Sequence, residues 1–177
     1  MSPATYIIRP AVLQDYENLC KVFDPVDQMH AHHHPERFRN VDCGVAWSKE
    51  YIQAILENEV QQIFVAESSA VIVGYVIIFI IDPPQLPIYA PNRYATIENL
   101  GVLPQARRLG IGASLMKTAE QWAARHDAQR IDLSVYLFNT IAIELYETLG
   151  YLAVSQKMSK PVEVSKNASF SNARSIE

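Results

Sequence analysis

Hydrophobic positions recur along this chain in two rhythms, and the change between them divides it into elements. Tyr6 to Arg9 reads as a short strand. Leu13, Tyr16, Leu19, Cys20 and Phe23 are then spaced by three and four, which predicts a helix with one apolar stripe. Asp24-Pro25 is expected to close it. An irregular segment carrying His30, His32, His33, His34 and Pro35 follows, and a second helix is predicted over Trp47 to Asn58 with Trp47, Tyr51, Ile55 and Leu56 inward. The pattern then changes. Gln62 to Glu67 and Val71 to Ile80 are rich in Val, Ile, Phe and Tyr and are separated only by a short turn around Ser69, which predicts an antiparallel hairpin.

Asp82 to Arg93 carries Pro83, Pro84, Pro87 and Pro91, a density that predicts a stiff surface loop. Tyr94 to Val102 is the next strand, ended by Pro104. A helix from about Gly110 to His126 places Ile111, Leu115, Ala119, Trp122 and His126 on one face. Arg130 to Tyr136 reads as a strand and Asn139 to Leu149 as a helix stopped by Gly150. Tyr151 to Met158 is predicted as a last strand. The order βααβββαβαβ implies an α/β (α+β) fold, a mixed sheet with helices on its faces. The expected division is one domain over residues 1–160 and a polar tail over 161–177.

Composition narrows the function classes. The chain has 177 residues, 49% of them hydrophobic and 19% charged, enough for a real core. A net charge of −4 argues against a nucleic-acid partner and suits a cationic substrate only weakly. No stretch has the length and apolarity of a membrane span, and Met1 to Pro10 lacks the order of a signal peptide. Cys20 and Cys43 are in no metal-like spacing. They read as free, reduced thiols and the location as cytoplasmic, which leaves the Asn167-Ala-Ser169 glycosylation match without meaning. The histidine run invites a metal reading, but consecutive loop residues seldom converge on one ion, so no metal is expected.

The informative stretch runs from Ile97 to Gly112, IENLGVLPQARRLGIG. A strand leads through a turn into a helix opened by glycines. A helix N-terminus offers unpaired N–H groups and a positive dipole end, and glycine lets a bulky anion approach the backbone. Arg107 and Arg108 add positive charge, and no Asp or Glu occurs between Glu98 and Glu120. These features describe a phosphate or pyrophosphate cradle. A turn whose glycines only permit tight packing is the other reading. The spacing matches neither G-x-x-x-x-G-K-[ST] nor G-x-G-x-x-G.

The same residues resemble the GNAT superfamily of acetyltransferases. Arg107-Arg108-Leu109-Gly110-Ile111-Gly112 matches its [QR]-x-x-G-x-[GA] loop, Leu100 to Pro104 is similar to its preceding strand end, and Asn139 to Tyr151 is similar to its second signature, N-x-x-A-x-x-L-Y-x-x-x-G-[FY]. The resemblance covers about Tyr6 to Ser159 and is weakest before Gln62. It implies a GNAT fold: a mixed, mostly antiparallel sheet of about six to seven strands, helices on both faces, and a splay between the fourth and fifth strands. It also implies acetyl-CoA as acetyl donor, its arm paired with the backbone of Leu100 and Val102. Main-chain N–H groups from Arg108 through Gly110 and Gly112 to Ala113 would hold the pyrophosphate beside Arg107. Many members have Gly where Arg108 stands.

By the same resemblance Asn139 contacts the cofactor arm, a plain helix N-cap being the other reading. Tyr146 matches the residue that protonates the leaving thiolate, against a core aromatic as the alternative. The base is Glu98 or a water chain. An alkylamine with a pKa near that of Lys is about one part in a thousand neutral near pH 7, so proton removal matters; a merely solvated or salt-bridged Glu98 is the other reading. A route through a Glu on the following strand is absent, since Ser134 stands there. His30 and His33 are expected to line the acceptor pocket, with Tyr94 and the proline-rich loop walling its other side. The expected acceptor is the primary amine of a small molecule or of a peptide, a noncatalytic acyl-CoA-binding module being the rival reading. The resemblance also implies a homodimer.

Overall fold

The computed structural model describes residues 5–162. The polar tail expected over 161–177, apart from its first two residues, and the Asn167 triplet lie outside the described residues. Five strands form the sheet: β1 (Ile7–Pro10), β2 (Gln61–Ser68), β3 (Val71–Ile81), β4 (Tyr94–Val102) and β5 (Ile131–Leu133), lying side by side in chain order. Neighbours are antiparallel except β4 and β5, which are parallel. The helices are α1 (Tyr16–His33), α2 (Cys43–Ala46), α3 (Lys49–Leu56), α4 (Ile111–Arg125) and α5 (Thr140–Thr148).

Period-two alternation on the central strands separates two cores. Ile63 and Val65 of β2 and Tyr75 and Ile77 of β3 point to one face, where Leu19, Val22 and Phe23 of α1 and Ile52 and Ile55 of α3 cover them. Phe64, Ala66, Val76, Ile78 and Ile80 point to the other face, against Ile111, Leu115, Met116, Ala119 and Trp122 of α4. The hairpin between β2 and β3 turns through Ser69 (φ 50°) and Ala70 (φ 63°), both left-handed, as a two-residue turn matched to strand twist requires. Asp15 is buried but satisfied: Arg9 donates to both its oxygens at 2.7 and 2.8 Å, and the Val12 N–H donates at 2.9 Å.

Several sequence expectations are corrected. The first helix does not stop at Asp24-Pro25. Proline costs the helix a backbone hydrogen bond, yet Val26 beyond it is buried along with Leu19, Val22 and Phe23, and α1 continues to His33. The histidine cluster therefore occupies the last turn of a helix rather than an irregular loop. The helix expected over Trp47 to Asn58 starts at Lys49, capped by Ser48 Oγ, which accepts the Tyr51 N–H at 3.2 Å. Trp47 precedes it, in the turn after α2.

The strand expected over Tyr151 to Met158 is not formed, so the sheet of the described residues has one strand fewer than the pattern indicated. Leu152, Val154 and Met158 are exposed there, and β5, three residues long, offers a short template. Cys20 and Cys43 are joined in a disulfide rather than free. Their 23-residue separation gives no signal in sequence; α2 lying against α1 brings their Cα atoms to 5.5 Å, within disulfide reach. The expectation of a cytoplasmic location loses the support it drew from free thiols. No helix among the described residues is long and apolar enough to cross a membrane.

Candidate active site

β4 and β5 stay together only briefly. They pair from Ala95 opposite Ile131 to Ile97 opposite Leu133, after which β5 ends while β4 runs on to Val102. The Leu103 N–H donates to Val73 O of β3 at 2.9 Å, so Val102 turns its peptide groups to the opposite side, and Leu100 does the same by alternation. That side is the gap left by β5. The Val102 carbonyl is engaged by Arg107 Nε at 3.1 Å. Along β4 the register skips: Asn99 faces Ile77 and Ile97 faces Ile78, leaving Glu98 as the extra residue of a bulge. A bulge bends its strand and re-aims a side chain. Glu98 is exposed and lines the resulting cleft of about 590 Å³.

The cradle lies where β4 leads into α4. After a single turn at Pro104–Ala106 the chain passes Arg108 (φ 64°) and reaches Gly110 (φ 79°), the N-cap of α4. Among the described residues no acceptor engages the N–H groups of Arg108 through Ala113. The first turn of α4 carries no acidic residue, so the dipole end is uncompensated. Arg107 and Arg108 are exposed, but the Arg107 guanidinium is folded back onto Val102. Arg108 has the backbone conformation that favours glycine. A Cβ on Gly112 would meet Leu145 Cδ2 at 3.1 Å, so this glycine allows α4 and α5 to approach closely.

α5 brings two further groups. Asn139 caps it, Oδ1 accepting the Ala142 N–H at 3.2 Å, and also lines the cleft. Tyr146 lines the cleft too, and burial pushes its phenol up to about 12, so it carries its proton throughout the neutral range. Across from them, burial and then the nearby Glu98 charge raise the Tyr51 pKa. A carboxylate, a protonated phenol and the backbone of Leu100 therefore line one opening, and β4 leads from it to the free N–H groups of Arg108 to Ala113.

The expected acceptor residues divide. His30 lines the cleft, its ring 5.3 Å from that of Phe38, and burial lowers its pKa, so it is neutral near pH 7. His33 instead stacks on Phe138 at 4.1 Å and is not among the lining residues. Tyr94 lies at the far end of β4, under the Arg130 guanidinium at 4.1 Å, and the proline-rich loop does not line the cleft either. Sequence reasoning missed Asp27 and Trp47, whose Nε1 donates to Asp27 Oδ2 at 2.7 Å at the cleft wall. The signal for Asp27 was obscured by ending the helix at Pro25; Trp47 was assigned to the core by its apolar spacing.

Known proteins resemble this chain in sequence and in fold. An uncharacterised N-acetyltransferase, YhfO, from Bacillus subtilis (strain 168) is 28% identical over 104 residues, 59% of this chain and 67% of that protein. An N-alpha-acetyltransferase from Sulfurisphaera tokodaii is 33% identical over 96 residues, 51% of this chain and 56% of its own length. This chain thus spans little more than half of the second relative. The crystal structure of a point mutant of the BH1408 protein from Bacillus halodurans superposes with a TM-score of 0.83 at 27% identity, covering 89% of this chain and 99% of that one. Residues 26–151, which include the parted strands, the free N–H groups ahead of α4 and Tyr146, match the model of the Acetyltransferase (GNAT) family, and the chain belongs to that family.

Proposed function

We propose that this protein is an acetyl-CoA-dependent N-acetyltransferase that moves the acetyl group to a primary amine by direct attack in a ternary complex. The observation that carries this reading is the set of unengaged N–H groups from Arg108 to Ala113 beside the opening between β4 and β5. Such donors at a helix N-terminus suit a pyrophosphate, and the Leu100 and Val102 N–H groups suit an extended amide-bearing arm. The residues present therefore fit acetyl-CoA, which would supply an activated thioester there. Tyr146 holds a proton at Oη for the departing thiolate, and its raised pKa keeps that proton in place. Glu98, re-aimed by the bulge, takes a proton from the acceptor ammonium directly or through water, which leaves the neutral amine free to attack.

The acceptor is a small molecule. A cleft of about 590 Å³ is of the size that encloses one, and α1 and the Trp47 turn wall it. The reaction belongs to the cytoplasm, where CoA thioesters are available. The test is a thermal-shift titration with CoA, followed by thiol release from acetyl-CoA across primary amines and N-terminal peptides. A shift with CoA and release with an amine are expected. A CoA shift without release on any acceptor would leave a binding module, and no shift at millimolar CoA would overturn the reading.

A further inference from the structure

The acceptor side of the cleft holds a carboxylate that the transfer chemistry leaves unused. Asp27 sits on α1, half-buried, two residues past the helix-internal Pro25. Trp47 Nε1 donates to its Oδ2 at 2.7 Å, and among the described residues Oδ1 has no hydrogen-bond partner and neither oxygen has an Arg or Lys within ion-pair distance. His30 lies about one turn on along α1, and burial lowers its pKa against the opposing pull of the Asp27 charge. Burial likewise raises the Asp27 pKa, against the opposing pull of the Trp47 hydrogen bond. A carboxylate withdrawn from water with one neutral donor is an incomplete pair.

The surroundings supply what a cation needs. Trp47 is fixed from several directions: its ring lies 4.8 Å from Phe23, its carbonyl accepts the Tyr16 hydroxyl at 3.0 Å, and the Cys20–Cys43 disulfide ties the preceding α2 to α1. Phe38 and Tyr136 add aromatic rings to the same cleft, and aromatic faces favour cations. Beneath this corner Tyr75 is fully buried with its Oη unpaired among the described residues; burial first, then the charge of Asp27, raises its pKa. Glu98 stands on a different wall, on β4, and Arg39 is the basic side chain of the lining.

We propose that Asp27 is the docking carboxylate for a second cationic group on the acceptor, so that the enzyme selects diamine-type acceptors over monoamines. One ammonium rests on Asp27 Oδ1 against the Trp47 and Phe38 rings while the other amine lies at the β4 opening, where Glu98 takes its proton. Asp27 is thus a specificity residue, distinct from the groups that touch the reacting atoms. The inference rests on the acetyltransferase reading for its second amine, but not for the cation site itself.

The experiment compares linear terminal diamines, from diaminopropane to diaminohexane, with butylamine. Thiol release measures turnover, and titration calorimetry in the presence of CoA measures binding. A charge-assisted hydrogen bond lost from the site corresponds to about a ten- to hundred-fold change. The expected result is a KM at least about ten-fold lower for the best diamine than for butylamine. Asp27→Asn should erase that advantage with little change in kcat, and Asp27→Glu should retain most of it. Trp47→Phe keeps a ring and should weaken diamine binding less than Asp27→Asn. A cooperative thermal unfolding transition without ligand confirms that each variant is folded.

Equal KM values for diamine and monoamine, or an Asp27→Asn protein that still prefers diamines, would overturn the inference. A fall in kcat with KM unchanged would also overturn it, by making Asp27 a proton acceptor. Diamine binding that depends on Asp27 in a protein that fails to bind CoA would uphold the cation site and bring down the donor reading instead.

Discussion

Where β4 leads out of the cleft into α4, the groups offered to a ligand are peptide N–H groups from Arg108 to Ala113, placed by backbone conformation and by small residues. On the acceptor side, along α1 and the turn after α2, they are side chains: Asp27, His30 and Trp47, positioned by a disulfide, aromatic packing and one 2.7 Å hydrogen bond. A ligand held by main chain is recognised through a shape that many side chains tolerate around it. A ligand held by side chains is recognised through their identity. In the proposed reaction the first half would hold an invariant donor and the second a particular acceptor. The two halves meet at Gly101, where an added Cβ would lie 2.5 Å from Tyr75 Cε1 and 2.9 Å from Val26 Cγ2, so β4 packs directly against the acceptor-side core.

The comparison is broken most severely at Tyr146, the side chain proposed above as the acid for the departing thiolate. Tyr146→Phe should lower kcat by about a hundred-fold or more, the range of a positioned general acid, while CoA affinity and acceptor KM stay within about two-fold. The fall should persist from pH 7 to pH 9, because the native phenol keeps its proton until about 12 and no alkaline loss of kcat below that value belongs to it. Steady-state rates across that range, beside CoA titrations of both proteins, check it. An unchanged kcat would reduce Tyr146 to a packing residue.

This division also explains what the residue pattern made legible. The donor half could be read because its geometry needs particular residues in a short stretch: glycines at Gly110 and Gly112, an acid-free helix start, and Asn139 and Tyr146 seven residues apart on one helix. Strands β2, β3 and β4 were legible because they are central and long, with alternating or continuous apolar runs. The acceptor half depends on contacts distant in sequence. Asp27 meets Trp47 across 20 residues and Cys20 meets Cys43 across 23, neither with a local signature. Pro25 misled because its penalty is local, whereas the burial of Phe23 and Val26 on either side of it is tertiary. Tyr151 to Met158 misled in the opposite sense, since an apolar alternation makes a strand only where a neighbour pairs with it.

The acceptor half can be loosened separately through its covalent link. Closing a loop over a 23-residue separation contributes about 3 kcal/mol in the chain-entropy account. Cys43→Ser should therefore lower unfolding free energy by about 2–4 kcal/mol in urea denaturation. It should also raise acceptor KM, because α2 and Trp47 lose a tether to α1, and leave CoA affinity unchanged. A reducing agent should do the same to the native protein and nothing further to the variant. If CoA affinity fell in parallel with acceptor affinity, the two halves would be one cooperative unit and the contrast between them would fail.

The smallest effect falls on the donor half, at Arg108, and it separates backbone recognition from charge. Its φ of 64° lies in the left-handed region, which costs a side chain with a Cβ about 1–2 kcal/mol. Glycine removes that strain but loses roughly 0.5–1 kcal/mol through the greater freedom of the unfolded chain. Arg108→Gly should then stabilise the protein by up to about 1.5 kcal/mol, with each 1 kcal/mol raising Tm by roughly 2–4 °C. The N–H group stays in place, so calorimetry should find CoA affinity within about two-fold, with salt dependence only slightly reduced. A weakening of about ten-fold or more would mean that the exposed guanidinium, rather than the peptide, supplies the grip. The donor half would then be held by side chains like the acceptor half facing it.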